Sequence, residues 1–316
     1  LIENSSSWDA VNKLEVIFAY NTLIVLAGTM LLGIAAGITG TFLMLRRRSL
    51  AGDVIGHAAL PGVALAFLIY ASVAPEAGKS LPVMLLGGGI ASGLGMLTVL
   101  WLRNVGGLPE DAVLAIVLST FFGAGVVLLS VVQASPTGSQ SGLRDFIFGQ
   151  AAAIRISDVA LLASIALGTI VTSNLLMKEW ALMCFDEGLA HVLGYPIRLL
   201  DFLLMALVVA VCVAGMQAVG LLLIVALLII PPTSARFWSD SISPNIWLSA
   251  LFGAISATAG GIASALIPKL STGAIIVVAA AIVLTFSMLL GTKHGLLLRW
   301  HAQRAMRLRA KGVPPA

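Results

Sequence analysis

Nine long apolar segments divide this chain, and they limit its fold more than any other feature. They lie at about Phe18–Leu45, Asp53–Ala74, Leu81–Leu102, Ala112–Val132, Ser157–Leu176, Leu199–Met216, Val219–Phe237, Ile246–Ile267 and Thr272–Leu290. About 20 apolar residues in a helix cross roughly 30 Å of hydrocarbon. In that solvent a spanning backbone has to satisfy its own hydrogen bonds. The expected fold class is therefore an all-α polytopic membrane protein with about nine spans, eight to ten being compatible with the pattern. The first segment is overlong, which predicts a helix that is tilted, broken at its glycines or begun outside the bilayer. Only Gln217 and Ala218 separate the sixth segment from the seventh, so these form a tight hairpin or one distorted unit.

Composition agrees. Charged residues make up 10% of the 316 and hydrophobic residues 59%, whereas a soluble domain carries about 25% charged residues. Thirteen of the 18 Lys and Arg fall on one side if the N-terminus is outside and the C-terminus inside: Arg46, Arg47, Arg48, Arg103, Lys178, Arg198, Arg236, Lys293, Arg299, Arg304, Arg307, Arg309 and Lys311. Basic residues favour the cytoplasmic side, so this orientation is expected. Three parts follow: an extracytoplasmic segment 1–17, one transmembrane unit 18–292, and a basic cytoplasmic tail 293–316 suited to anionic lipid rather than nucleic acid. Residues 1–15 show no secretory signal pattern, and the opening Leu1 suggests a native start upstream. Cys184 and Cys212 form no disulfide or zinc-ribbon pattern.

Two loops stand out. The outer loop Ala134–Ile156 carries an apolar patch, Phe146-Ile147-Phe148, suited to a short surface helix and an external partner. In the inner loop Lys178–Asp201, Asp186 and Glu187 can open a short helix, where acids favour the positive end. Gly194 can close it and Pro196 ends it. Phe185, Leu189 and Val192 on such a helix call for a cytoplasmic partner.

Enzymatic motifs are missing. Gly78-Lys79-Ser80 resembles the end of a phosphate loop, but Val73 stands where that pattern needs glycine. There is no Gly-x-Ser-x-Gly elbow, His-Glu-x-x-His motif or redox cysteine pair. His191, His294 and His301 read as solvated surface residues. Pro231-Pro232 interrupts the seventh segment, as a pathway-lining hinge or as a packing kink.

What remains is Asp53 and His57, four residues apart and so on one helix face. Asp53 is the only acid between Glu15 and Glu76. Ionisable groups in apolar spans are rare and usually functional, and a carboxylate with an imidazole suits Mn, Fe or Zn. Asp53 can equally cap a helix with His57 as a satisfied interfacial residue. Because Asp53 follows Arg48 by five residues, a site deep in the membrane needs the chain to re-enter or the second helix to sit low, and the depth of the pair is open.

Three stretches together resemble one family: Met-Leu-Arg-Arg-Arg-Ser-Leu-Ala-Gly-Asp-Val-Ile-Gly-His-Ala-Ala-Leu-Pro-Gly-Val (44–63), Phe-Asp-Glu-Gly-Leu-Ala-His-Val-Leu-Gly (185–194) and Met-Gln-Ala-Val-Gly-Leu-Leu-Leu-Ile-Val-Ala-Leu-Leu-Ile-Ile-Pro-Pro (216–232). They look like the permease of bacterial manganese, zinc or iron ABC importers, over about residues 18–292. The resemblance implies the type II importer fold shared with vitamin B12 and siderophore permeases. It also implies a multi-pass location in the bacterial inner membrane and a second permease chain, identical or paralogous. A cytoplasmic ATPase dimer would dock on the 185–194 helix through Phe185, Asp186, Glu187, Leu189, Ala190 and Gly194. An extracytoplasmic binding protein would deliver the metal. Asp53 and His57 would line the pathway as metal ligands, with Gln217, Pro231 and Pro232 as pathway or hinge positions. Leu-Pro-Gly after His57 looks more like the manganese/iron branch than the zinc branch. The metal is then cargo, with no cofactor and no catalytic residue, and ATP hydrolysis belongs to a separate subunit. The rival expectations are an ion-gradient-driven carrier working alone and a same-fold permease for a metal chelate.

Overall fold

The computed structural model describes residues 19–46, 48, 50–73, 81–134, 154–267, 271–297 and 300, apart from the side chains of a few of them, Gln217 included. The segment 1–17, the Phe146 patch, Gly78-Lys79-Ser80, His301 and most of the basic tail lie outside the described residues. The described helices are α1 (Tyr20–Leu45), α2 (Ala51–Val73), α3 (Leu81–Gly106), α4 (Glu110–Ala134), α5 (Ile156–Leu175), α6 (Met177–Phe185), α7 (Glu187–Val192), α8 (Ile197–Val219), α9 (Leu221–Arg236), α10 (Ile242–Leu266) and α11 (Thr272–Leu290). Eight of them are long and apolar enough to cross a membrane, and α9 is a shorter apolar helix. The chain is a multi-pass membrane protein.

Helix α1 is the hub of the bundle. It is continuous for 26 residues, so the overlong first segment is not broken at its glycines. Those glycines serve packing. A Cβ on Gly33 would run into the Gly253 carbonyl at 2.5 Å, and one on Gly37 would collide with the Ser249 backbone. Thr41 then donates across the same seam to Ser249 Oγ at 2.8 Å. Lipid tails give no hydrophobic drive for helix association, so small residues and interhelical hydrogen bonds are what hold such a crossing.

The reversal between α8 and α9 is tight and occurs at Gly220, three residues beyond Gln217. Gly220 has φ 92°, which a side chain would resist. Gly215 of α8 packs on Ile224 of α9, as two arms of a hairpin do. At 16 residues and 1.5 Å each, α9 spans about 24 Å, less than the bilayer core. Pro231 and Pro232 sit inside this helix, both buried. Pro232 has no N–H for the Leu228 carbonyl, and that oxygen packs instead on Gly40 of α1. The proline pair is thus accommodated without ending the helix.

The inner loop holds more structure than a single short helix. Met177–Phe185 is itself helical, and the next helix is Glu187–Val192. Trp180 of α6 is fully buried, lies edge-on to Phe42 of α1 at 4.9 Å and donates to the Leu200 carbonyl at 3.2 Å. This anchors α6, and α7 behind it, to the transmembrane body.

Candidate metal pathway and docking helix

Helix α2 carries the acid–imidazole pair. Its first backbone bonds run from Ala51 N–H to the Arg48 carbonyl and from Val54 N–H to the Leu50 carbonyl. Asp53 lies in the first turn, where a carboxylate favours the positive end of the helix dipole. One turn on, His57 Nε2 is 3.3 Å from Asp53 Oδ1. The imidazole packs edge-on against Phe122 of α4, centroids 4.9 Å apart. Its Nδ1 is buried without a hydrogen-bond partner. Both side chains stay partly open, 24% for His57 and 33% for Asp53.

The spacing fits chelation. With metal–ligand bonds of about 2.1 Å, donors 3.3 Å apart subtend about 100° at a shared ion, between the octahedral and tetrahedral angles. Among the described residues no three His, Cys, Asp or Glu side chains gather into a metal-ligand group. One chain therefore presents two donors, and further positions would fall to water or to another chain.

Two contacts fix the depth. Ser92 Oγ donates to the Ile55 carbonyl at 2.8 Å, and Ser92 lies near the middle of α3 (Leu81–Gly106). Cys212 Sγ approaches the Gly52 carbonyl at 3.9 Å. Cys212 lies eleven residues beyond Asp201 on α8, about 16 Å along the axis. The pair therefore sits deep in the bundle. Arg46 and Arg48 lie at its end, and the chain turns back inward between them and Ala51. The chain thus re-enters the helix bundle before α2 begins.

The basic end is organised by ion pairs. Asp201, 5% exposed, accepts from Arg46 Nη2 at 2.9 Å and from Arg48 Nη1 at 2.7 and 3.0 Å. Arg46 Nη1 also reaches the Met183 carbonyl at 3.1 Å and Glu187 Oε2 at 3.2 Å. Arg103 of α3 stands 3.6 Å from Glu187 and 3.9 Å from Asp201. In the sequence Asp201 falls both at the end of the inner loop and just inside the sixth apolar segment; the structure puts it inside α8. An acid one turn into an apolar run, facing an Arg-rich stretch elsewhere in the chain, was the available signal.

The candidate docking residues fall on α7 and its flanks. Asp186 caps the helix, accepting from Leu189 N–H at 2.9 Å. Gly194 follows with φ 81°. Ala190 is buried against the body, whereas Phe185, Leu189, Val192 and Leu193 are exposed, Val192 at 84%. His191 is exposed, and His294 pairs with Asp240 at 2.9 Å. That imidazole holds the exposed Asp240 carboxyl below its ordinary range. Burial pushes the Cys184 thiol up to about 11, against a smaller opposing pull from Arg46. Gln217, Pro231 and Pro232 all lie on the α8–α9 hairpin.

Known proteins bear on this arrangement. Residues 19–291 match the model of the ABC 3 transport family. The chain is 40% identical over 291 residues to the manganese transport system membrane protein MntC of Bacillus subtilis, covering 92% of this chain and 65% of that protein. It is 38% identical to the zinc transport system membrane protein TroC of Treponema pallidum, covering 91% and 95%. Among solved structures, PsaBC from Streptococcus pneumoniae in complex with Fab superposes with a TM-score of 0.75 at 29% identity, covering 90% of this chain and 97% of that one. A putative metal-chelate type ABC transporter in an inward-facing conformation gives 0.60 at 15% identity, a likeness of fold alone. With most of its length matched from the α1 hub to the end of α11, this chain belongs to the ABC 3 transport family.

Proposed function

We propose that this chain is the membrane-spanning permease subunit of an ATP-driven importer for a divalent transition metal ion, Mn²⁺ foremost, with Zn²⁺ or Fe²⁺ as alternatives. One observation carries the reading: Asp53 and His57 are 3.3 Å apart and partly open, deep in a bundle otherwise lined by apolar and small residues at that level. The printed names of the relatives, manganese and zinc transport proteins, point to the same cargo.

The mechanism follows from donor chemistry. A second permease chain, identical or paralogous, covers the open side of α2 and brings its own donors, so four protein ligands and water replace the hydration shell. A pathway site has to bind well enough to strip water and weakly enough to release. Mixed O and N donors without thiolate suit Mn²⁺. An ATPase dimer docks on the exposed face of α7, and an extracytoplasmic binding protein delivers the ion. The α8–α9 hairpin, with Gln217 near its tip and Pro231-Pro232 in its return arm, serves as a hinge or pathway wall. The N-terminus is outside and the C-terminus cytoplasmic, with 18–292 as the transporter body and the 293–316 tail on anionic lipid.

The test is Mn²⁺ uptake into proteoliposomes by the permease–ATPase complex. Asp53→Ala and His57→Ala are expected to abolish uptake while the complex still assembles and hydrolyses ATP. Normal uptake by both variants refutes the reading.

A further inference from the structure

We infer that Asp201 is a positioning residue, the shared anchor through which the docking helix α7 holds the start of the metal-carrying helix α2; this rests on the function proposed above. The side chains of Arg46 and Arg48 are 6% and 2% exposed, and that of Asp201 is 8% exposed. Two buried guanidiniums thus share one buried carboxylate. Glu187, on α7, supplies the second negative charge through Arg46. Arg103 reaches both acids, so three cations already face two carboxylates, and loss of the half-exposed Glu187 leaves Asp201 alone against all three.

A buried charge that loses its partner is strongly unfavourable. If α7 is drawn away from the body, Arg46 loses Glu187 and competes with Arg48 for Asp201. Arg48 is the residue whose carbonyl accepts from Ala51 N–H, the first residue of α2. Asp53 is two residues further on. Arg103 stands between the two acids and holds the end of α3 to the same cluster. Motion at α7 is therefore felt at the base of α2 through charge balance, with no need for the rest of the bundle to deform.

The experiment measures Mn²⁺ transported per ATP hydrolysed by the permease–ATPase complex in proteoliposomes. Glu187→Gln and Asp201→Asn are each expected to lower that ratio by about tenfold, in the range of ordinary coupling between sites. Because both act through one cluster, the double variant should be no worse than the weaker single. Glu187→Asp should recover most of the ratio, which a general loss of folded protein would not show. Asp201 is buried and cannot touch the ATPase, so its effect separates positioning from direct docking. A wild-type ratio in Glu187→Gln overturns the inference, as does a multiplicative loss in the double variant. Should Asp201→Asn fail to assemble, Arg46→Lys takes its place: the Arg46 side chain is only 6% exposed and bridges both acids, so a lowered ratio is expected and a wild-type ratio overturns the inference. If Asp53→Ala and His57→Ala transport normally, the metal-pathway reading has failed. If they are inactive while Glu187→Gln is fully coupled, only the present inference has.

Discussion

Two substitutions of the same chemistry, both on α3, should separate stability from metal handling. A Cβ on Gly87 would stand 2.5 Å from Ala66 Cβ and 2.6 Å from the Gly62 carbonyl; a Cβ on Gly95 would stand 2.7 Å from Ala58 Cβ. Carbon atoms pack at about 3.5–4.0 Å, so either alanine forces α2 and α3 apart locally by about 1 Å. Overpacking of this kind costs about 1–3 kcal/mol, and both variants should unfold at lower temperature in detergent. Their effects on the pair differ. Ala58 is next to His57, so Gly95→Ala shifts the pair by most of that 1 Å. Ala66 is about 12 Å from Ala58 along α2. With the helix still held at Ala58–Gly95, Gly87→Ala tilts it about that point, moving His57 by about 0.1 Å but Asp53, about 7.5 Å beyond the pivot, by about 0.6 Å, against a tolerance of about 0.2 Å for metal–ligand distances. In Gly95→Ala the first turns of α2 move as one, so the spacing within the pair survives and what is spoiled is its placement against the second chain's donors. Uptake should then show an apparent KM raised about tenfold or more in Gly95→Ala, raised less in Gly87→Ala, where only Asp53 is displaced, and restored by Ala58→Gly in the Gly95→Ala background. Equal effects of the two alanines on KM, or none from Gly95→Ala, would refute this geometry.

Three further outcomes are expected. With Cys212→Ala as background, Cys184 should alkylate at pH 8 more than a hundredfold slower than a free thiol of pKa about 8.5, because its own value is about 11; alkylation at the free-thiol rate contradicts its burial. Phe185→Ser with Val192→Ser, at sites 68% and 84% exposed, should weaken co-purification of the ATPase and leave the melting temperature of the permease unchanged. His294→Ala should let the Asp240 carboxyl return toward 3.8, followed by NMR of labelled aspartate. A carboxyl held low by its partner favours the paired loop above its unpaired value and releases it as pH falls through the lowered one, so in the wild type the α9–α11 tie should open only in acid.

The spans were legible because each is a long apolar run, and the found helices shift the expected ends by only a few residues. The α7 helix was legible too, since Asp186, Gly194 and Pro196 are local start and stop signals that need no tertiary context. Depth was not. Arg46 and Arg48, read by the positive-inside rule, belong at the membrane edge, and sequence distance puts Asp53 close behind them. The rule assumes that basic side chains reach water. Here they are buried on Asp201 instead, which lets the chain turn back inside the bundle. Asp201 is 155 residues from Arg46, and no periodicity or spacing links the two. The same long-range pairing that hid the depth of the candidate site from the sequence also links the start of α2 to α7. A reader of apolar spans should therefore treat an acid one turn into a span as a partner to be found, whose location decides how far inward the neighbouring functional residues can sit.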